Sequence, residues 1–176
     1  MADRAVFPGV LADPEQLGFT ALDYLYKLNH RKIVIINRGR AEAWCHAIHK
    51  HIDHFSGVSI REINRNSPGW EREIFDHVGD FSAVLACDPV AAELIHEAAL
   101  RKVRIPEDFS VLGVDGLDIG AYTIPALTSV AQPREGQGVA AARLLLQWLK
   151  SGKRPAGVKL QSDLCIRKSV GAAKKI

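Results

Sequence analysis

Three cysteines, one methionine and an aromatic share of 7% are all that this chain of 176 residues has of the rarer side chains. Cys45, Cys87 and Cys165 make an odd count with no CxxC spacing, which excludes a zinc ribbon and a paired disulfide framework and suits a reducing compartment. No apolar run approaches the ~18 residues that a membrane helix needs. The opening MADRAVFPGV carries no basic-then-apolar leader. There is no GxSxG elbow, no GxGxxG fingerprint and no Walker loop, so the usual serine-hydrolase and nucleotide sites are missing. Charge of one sign is also scarce. The net charge is +3, the basic residues are scattered, and only Lys168 to Lys175 is locally basic. That pattern is a solvated surface and gives no footprint for nucleic acid. No internal repeat and no low-complexity linker interrupts the chain.

What is present is ordinary globular material, 47% hydrophobic and 24% charged, enough for one domain with a core. Leu17, Ala21, Leu22, Leu25 and Leu28 recur at helical spacing, with Asp13 as N-cap and Pro14 at the first helical position. Lys32 to Asn37 (KIVIIN) is a β-branched run of the kind buried on both faces of a parallel sheet. Further helices are predicted over Ala41 to Phe55, over Pro68 to Val78 with Ser67 as cap, over Pro89 to Lys102 with Asp88 as cap, over Leu117 to Tyr122 and over Pro133 to Leu149. Strands are predicted over Val58 to Ile63, Phe81 to Ala86, Phe109 to Val114, Leu127 to Ala131 and Val158 to Ile166. This alternation gives right-handed βαβ units: an α/β fold with an open parallel sheet and helices on both faces.

Such sheets take ligands beyond the carboxyl ends of their strands. That rule selects Asn37 and Arg38, Cys87 and Asp88, Asp115 and Gly116, and Gln132. Each also has a plainer reading: Asp88 as a helix cap, Asp115-Gly116 as a turn. His46, His49, His51 and His54 form a cluster, but His46 and His49 point away from His51 and His54, and a solvated helix face accounts for them. Cys87 stands before a helix N-terminus, which lowers a thiol pKa, yet a small buried residue beside the ligand crevice explains it better.

The chained motifs add a resemblance. Ala86-Cys87-Asp88 before a helix rich in small residues, Ile105-Pro106-Glu107-Asp108, Gly113-Val114-Asp115, Pro125-Ala126-Leu127-Thr128-Ser129-Val130-Ala131-Gln132 and Leu164-Cys165-Ile166-Arg167-Lys168-Ser169 resemble the sensor domain of LacI/GalR-type transcriptional regulators. Asp13, Gly18, Leu25, His30 and Ile33 look like its upstream stretch. The likeness runs from about Asp13 to Ser169. It implies a periplasmic-binding-protein-like type I fold, mostly its C-terminal lobe: residues 12–130 and 158–169 in that lobe, and residues 133–150 a helix of an N-terminal lobe otherwise missing from the chain.

The resemblance further implies a small-molecule effector, a sugar or related metabolite, at Asp115, Gln132, Cys87, Asp88, Trp44 and Arg38. Two positions depart from the family. Cys87 stands where an Asn often holds the sugar, and Trp44 near a ligand-gripping Arg. A thiol and an indole cannot do those jobs. A pyranose would then stack on Trp44 while Asp115 accepts from its hydroxyls. DNA contact is expected only through an N-terminal domain outside this chain. A homodimer is expected through the helix Val90 to Lys102 and the loop Leu117 to Tyr122. A cytoplasmic location, no cofactor, no metal and no membrane complete the expectation. The alternatives are a periplasmic-type sugar-binding protein and, remotely, an enzyme using Cys87.

Overall fold

The computed structural model describes residues 9–38 and 43–174. Their order is β1 (Val10–Ala12), α1 (Pro14–Lys27), β2 (Lys32–Asn37), α2 (Ala43–His51) with a 3-10 turn at Ile52–His54, β3 (Ser59–Asn64), α3 (Trp70–Phe75), β4 (Ala83–Cys87), α4 (Asp88–Leu100), β5 (Ser110–Asp115), α5 (Ile119–Tyr122), β6 (Thr128–Ala131), α6 (Arg134–Ser151), β7 (Val158–Leu160) and β8 (Asp163–Cys165). The main sheet runs β3-β2-β4-β5-β6-β8, parallel up to β6.

Alternation along the central strands builds two cores. Val34, Ile36, Val84 and Val111 face α3 and α4, where they meet Trp70, Ile74, Leu94 and Ala98. Ile33, Ile35, Leu85 and Leu112 face α1 and α2, where they meet Leu22, Leu25, Trp44 and Ile48. Period-two side chains buried on both faces require helices on both faces. Helix α1 starts as the sequence implies: the Asp13 carboxylate accepts the Glu15 N–H at 3.1 Å, and Pro14 opens the first turn. It ends after Leu28, where Asn29 turns with φ 67°.

Four expectations need correction. The predicted last strand is two strands. β7 leaves the main sheet to pair in parallel with β1, which the sequence reading missed. β8 returns antiparallel to β6, so the sheet is not purely parallel. The break is held by Gln16 of α1, which accepts the Ser162 N–H at 2.8 Å and donates to the Ser162 carbonyl at 2.9 Å. One side chain thus takes both backbone groups that a neighbouring strand would have paired. Ser67 does not cap α3, because Gly69 turns with φ 77° and the helix begins at Trp70. Asp88 is the first residue of α4 and does not cap it; its carboxylate is drawn to other elements. In the predicted helix from Ala41, residues 41 and 42 lie outside the described residues; the helix is seen from Ala43.

Helix α6 stands apart. It packs mainly on the small β1-β7 pair, and none of its residues is fully buried. Val139, Leu145, Leu146 and Leu149 are exposed, Leu149 at 72%.

Candidate functional site

Register decides which polar residues meet. Ile36, Ala86, Gly113 and Ser129 lie in one row across β2, β4, β5 and β6. The residues after them therefore leave the sheet together at its carboxyl end: Asn37 and Arg38, Cys87 and Asp88, Asp115 and Gly116, and Gln132. This is the crevice end of an open α/β sheet.

Asp115 and Gln132 are brought into direct contact. The Gln132 side-chain amide donates to Asp115 Oδ1 at 2.7 Å, and the Gln132 N–H donates to the Asp115 carbonyl. Arg134, at the start of α6, holds its guanidinium 3.9 Å from the same carboxylate. The Asp115 side chain keeps 21% exposure. Its φ of 124° is outside the ordinary range for a residue with a Cβ, and Gly116 follows at φ 68°. Such backbone is held only where the surroundings over-determine it. Gly116 is required here, because a Cβ would sit 2.3 Å from that of Ala131. The result is a carboxylate fixed at a strand end, able to accept from ligand hydroxyl or amine donors and flanked by an amide and a guanidinium.

The other expected residues fall differently. Arg38 is exposed, and its carbonyl accepts from Asn66 Nδ2 at 2.6 Å. Cys87 is 2% exposed, which argues against a reactive thiolate. Trp44 is 7% exposed and packs with Leu17 and Ile48, so little of its ring is offered for stacking. Its place in the α1–α2 core is the physical reason: the helix face it occupies is turned inward. Asp88 has no exposure. Its oxygens accept from the Ser129 hydroxyl and the Leu117 N–H, both at 2.6 Å. Burial pushes its carboxyl above the ordinary value, while these hydrogen bonds and the Arg167 charge pull the other way.

Sequence reasoning missed Arg134, Ser129 and Glu62. Glu62 accepts from the Asn37 side chain at 2.6 Å and meets the His49 ring. Ser129 was visible in the motif before Gln132, but its bond to Asp88 spans 41 residues, beyond any local signal. His51 pairs with Glu15 at 2.7 Å, so two of the clustered histidines are drawn to different carboxylates. Among the described residues no group of three or more His, Cys, Asp or Glu side chains is placed to hold a metal ion. A pocket of about 440 Å³ lies at the opposite, amino end of the sheet, between His30, Phe81, Phe109 and Gly171. His30, Phe81 and Phe109 precede β2, β4 and β5, and Gly171 follows the antiparallel β8, so it is not the crevice formed by the ends of the parallel strands.

A profile for a periplasmic binding protein-like domain matches residues 22–170. The chain belongs to this family. Among relatives of the periplasmic binding protein-like chain are two repressors. The HTH-type transcriptional repressor PurR of Aliivibrio salmonicida is 28% identical over 92% of this chain and 52% of its own length. The HTH-type transcriptional repressor CytR of Escherichia coli K12 is 28% identical over 97% of this chain and 54% of its own. The crystal structure of a LacI family transcriptional regulator from Enterococcus faecalis V583 with bound ribose superposes with a TM-score of 0.79, at 25% identity, over 95% of this chain and 64% of that one. The chain thus spans about half the length of the curated relatives it matches. The LacI-type resemblance and the sensor-type α/β fold of the sequence reading stand, and these relatives are transcriptional regulators rather than enzymes. Among the described residues no helix is long and apolar enough to cross a membrane.

Proposed function

We propose that this periplasmic binding protein-like chain is the ligand-sensing part of a LacI-type transcriptional regulator. A small hydroxyl-bearing effector is held at the carboxyl end of the sheet by Asp115 and Gln132, with Arg134 and Arg38 at the rim. The observation that carries the reading is the Asp115–Gln132 pair, brought together at the crevice end of a domain matched across residues 22–170. The ribose in the E. faecalis structure supports a sugar-like effector.

A second lobe closes over this end, and α6 belongs to that lobe. Its exposed Leu145, Leu146 and Leu149 support the assignment, since contiguous apolar surface of this kind is normally covered. Effector binding favours the closed arrangement and shifts a DNA-reading dimer by differential affinity for two states. DNA is engaged through a helix-turn-helix segment outside the described residues, as the repressor relatives suggest. The dimer forms through α4 and the α5 loop, where Leu100, Ile119, Tyr122 and Ile124 are exposed.

The test is isothermal titration with ribose, other pentoses, hexoses and nucleosides, on the wild type and on Asp115→Ala. Binding of one ligand class that Asp115→Ala weakens tenfold or more, about the worth of a charge-assisted hydrogen bond, is the expected result. Binding unaffected by Asp115→Ala overturns the site.

A further inference from the structure

We propose that Asp88 is a positioning residue and not an effector contact: it anchors the loop that carries Asp115 and links that loop to the exposed face of α5. The inference rests on the sensing role given above to the carboxyl end of the sheet. Asp88 has no exposure, so an effector has no route to it in the folded chain.

Its two oxygens serve two elements. Oδ1 accepts from the Ser129 hydroxyl of β6 at 2.6 Å, and Oδ2 accepts the Leu117 N–H at 2.6 Å. Ser129 Oγ in turn accepts the Gly116 N–H at 3.1 Å. The two amides that follow Asp115 therefore both end in one buried network. Space is reserved for it: a Cβ on Gly113 would stand 2.2 Å from Asp88 Oδ1 and 3.0 Å from Ser129 Oγ.

The same loop runs directly into α5. The Leu117 carbonyl accepts the Gly120 N–H at 3.0 Å, the Gly120 carbonyl accepts the Leu127 N–H at 2.7 Å, and the Leu127 carbonyl accepts from Arg167 at 2.6 Å. α5 is thus tied at both ends, and between the ties it presents Ile119 and Tyr122 to the outside, with Ile124 just beyond. Three residues, Gly116, Leu117 and Asp118, separate the candidate effector contact from that apolar face. Only an acceptor with two oxygens can take both donors. An Asn in its place would turn an NH2 toward one of them. A pull on Asp115 is then passed to α5 as a shift of one fixed loop, while the sheet beneath stays in place.

Amide exchange read by mass spectrometry on the full chain tests this, using Asp88→Asn, Ser129→Ala and the control Ser169→Ala. Ser169 is equally buried and bridges Thr128 N–H and the Val111 carbonyl without touching the loop. The expected result is exchange raised about tenfold or more over 116–122 in Asp88→Asn and Ser129→Ala, with α1 and β2 unchanged, and no such pattern in Ser169→Ala. Unchanged exchange over 116–122, or a rise spread evenly over the whole sheet, overturns the proposal. If Asp88→Asn does not fold, Ser129→Ala decides. Added D-ribose supplies a second arm. Protection that reaches 119–122 in the wild type but stops at Asp115 in Asp88→Asn supports the link; equal spread in both overturns it. No protection at Asp115 in the wild type counts against ribose sensing alone, and the ligand-free comparison still decides the link.

Discussion

At the residue scale, two buried groups carry more than their types suggest. Gly113 leaves room for the Asp88 carboxylate and for Leu127, whose Cδ2 would stand 2.9 Å from an added Cβ. Gly113→Ala is expected to cost about 1–3 kcal/mol through overpacking, read as a lower urea midpoint with an unchanged slope. His30 is 1% exposed; its ring meets Ser82 Oγ at 3.0 Å and the Gly171 carbonyl at 2.9 Å. Burial holds its pKa below the ordinary 6.5. The unfolded chain therefore takes up a proton before the native one does as pH falls. This contribution is present in full above the ordinary value and is lost as pH falls from there toward the folded one. Urea midpoints at about pH 7.5 and about pH 5.5 should differ more for the wild type than for His30→Gln. Asp108, held down at about 2 mainly by Arg104, acts only in more acid solution and does not enter that window. Asp115 was legible at this scale, because a polar residue ending a buried strand stands out locally. The hydrogen bonding of Asp88 was not, because its partners Ser129 and Leu117 lie 41 and 29 residues away.

At the element scale, the chain divides into a sheet with two full cores and a helix with none. Leu22 and Leu145 have the same side chain and opposite surroundings, one 1% exposed and the other 56%. Leu22→Ala is expected to lower stability by about 2–5 kcal/mol. Leu145→Gln is expected to change it by less than about 0.5 kcal/mol. Chemical denaturation of both variants checks the contrast. The buried strands were readable because KIVIIN and its counterparts admit no other placement. The division of the last strand into β7 and β8 was not, because β7 takes its partner from β1 at the other end of the chain and Gln16 holds the break. A short segment such as Val158–Leu160 gives no sign of a partner that lies so far away.

At the scale of the whole molecule, the surfaces left uncovered point outward in two directions, α6 on one side and α5 with the end of α4 on another. Tyr122 and Ile124, 84% and 88% exposed, are expected to lie in a contact between two copies of the chain. Tyr122→Asp combined with Ile124→Asp should shift sedimentation toward monomer without changing the circular dichroism of the fold. The general α/β architecture followed from the alternation of elements; the bare apolar face of α6 did not, and was expected only from the resemblance, which leaves that helix without its lobe. The pairing of β1 with β7 has a further consequence for synthesis. Asp13 N–H donates to the Leu160 carbonyl at 2.8 Å, and Val10 lies opposite Val158. The ribosome delivers β1 before β7, with α1 to α6 between them. β1 must wait without its partner strand until α6 and β7 have been made, so the small sheet closes only after the helices and strands between them, and α6 is settled with it.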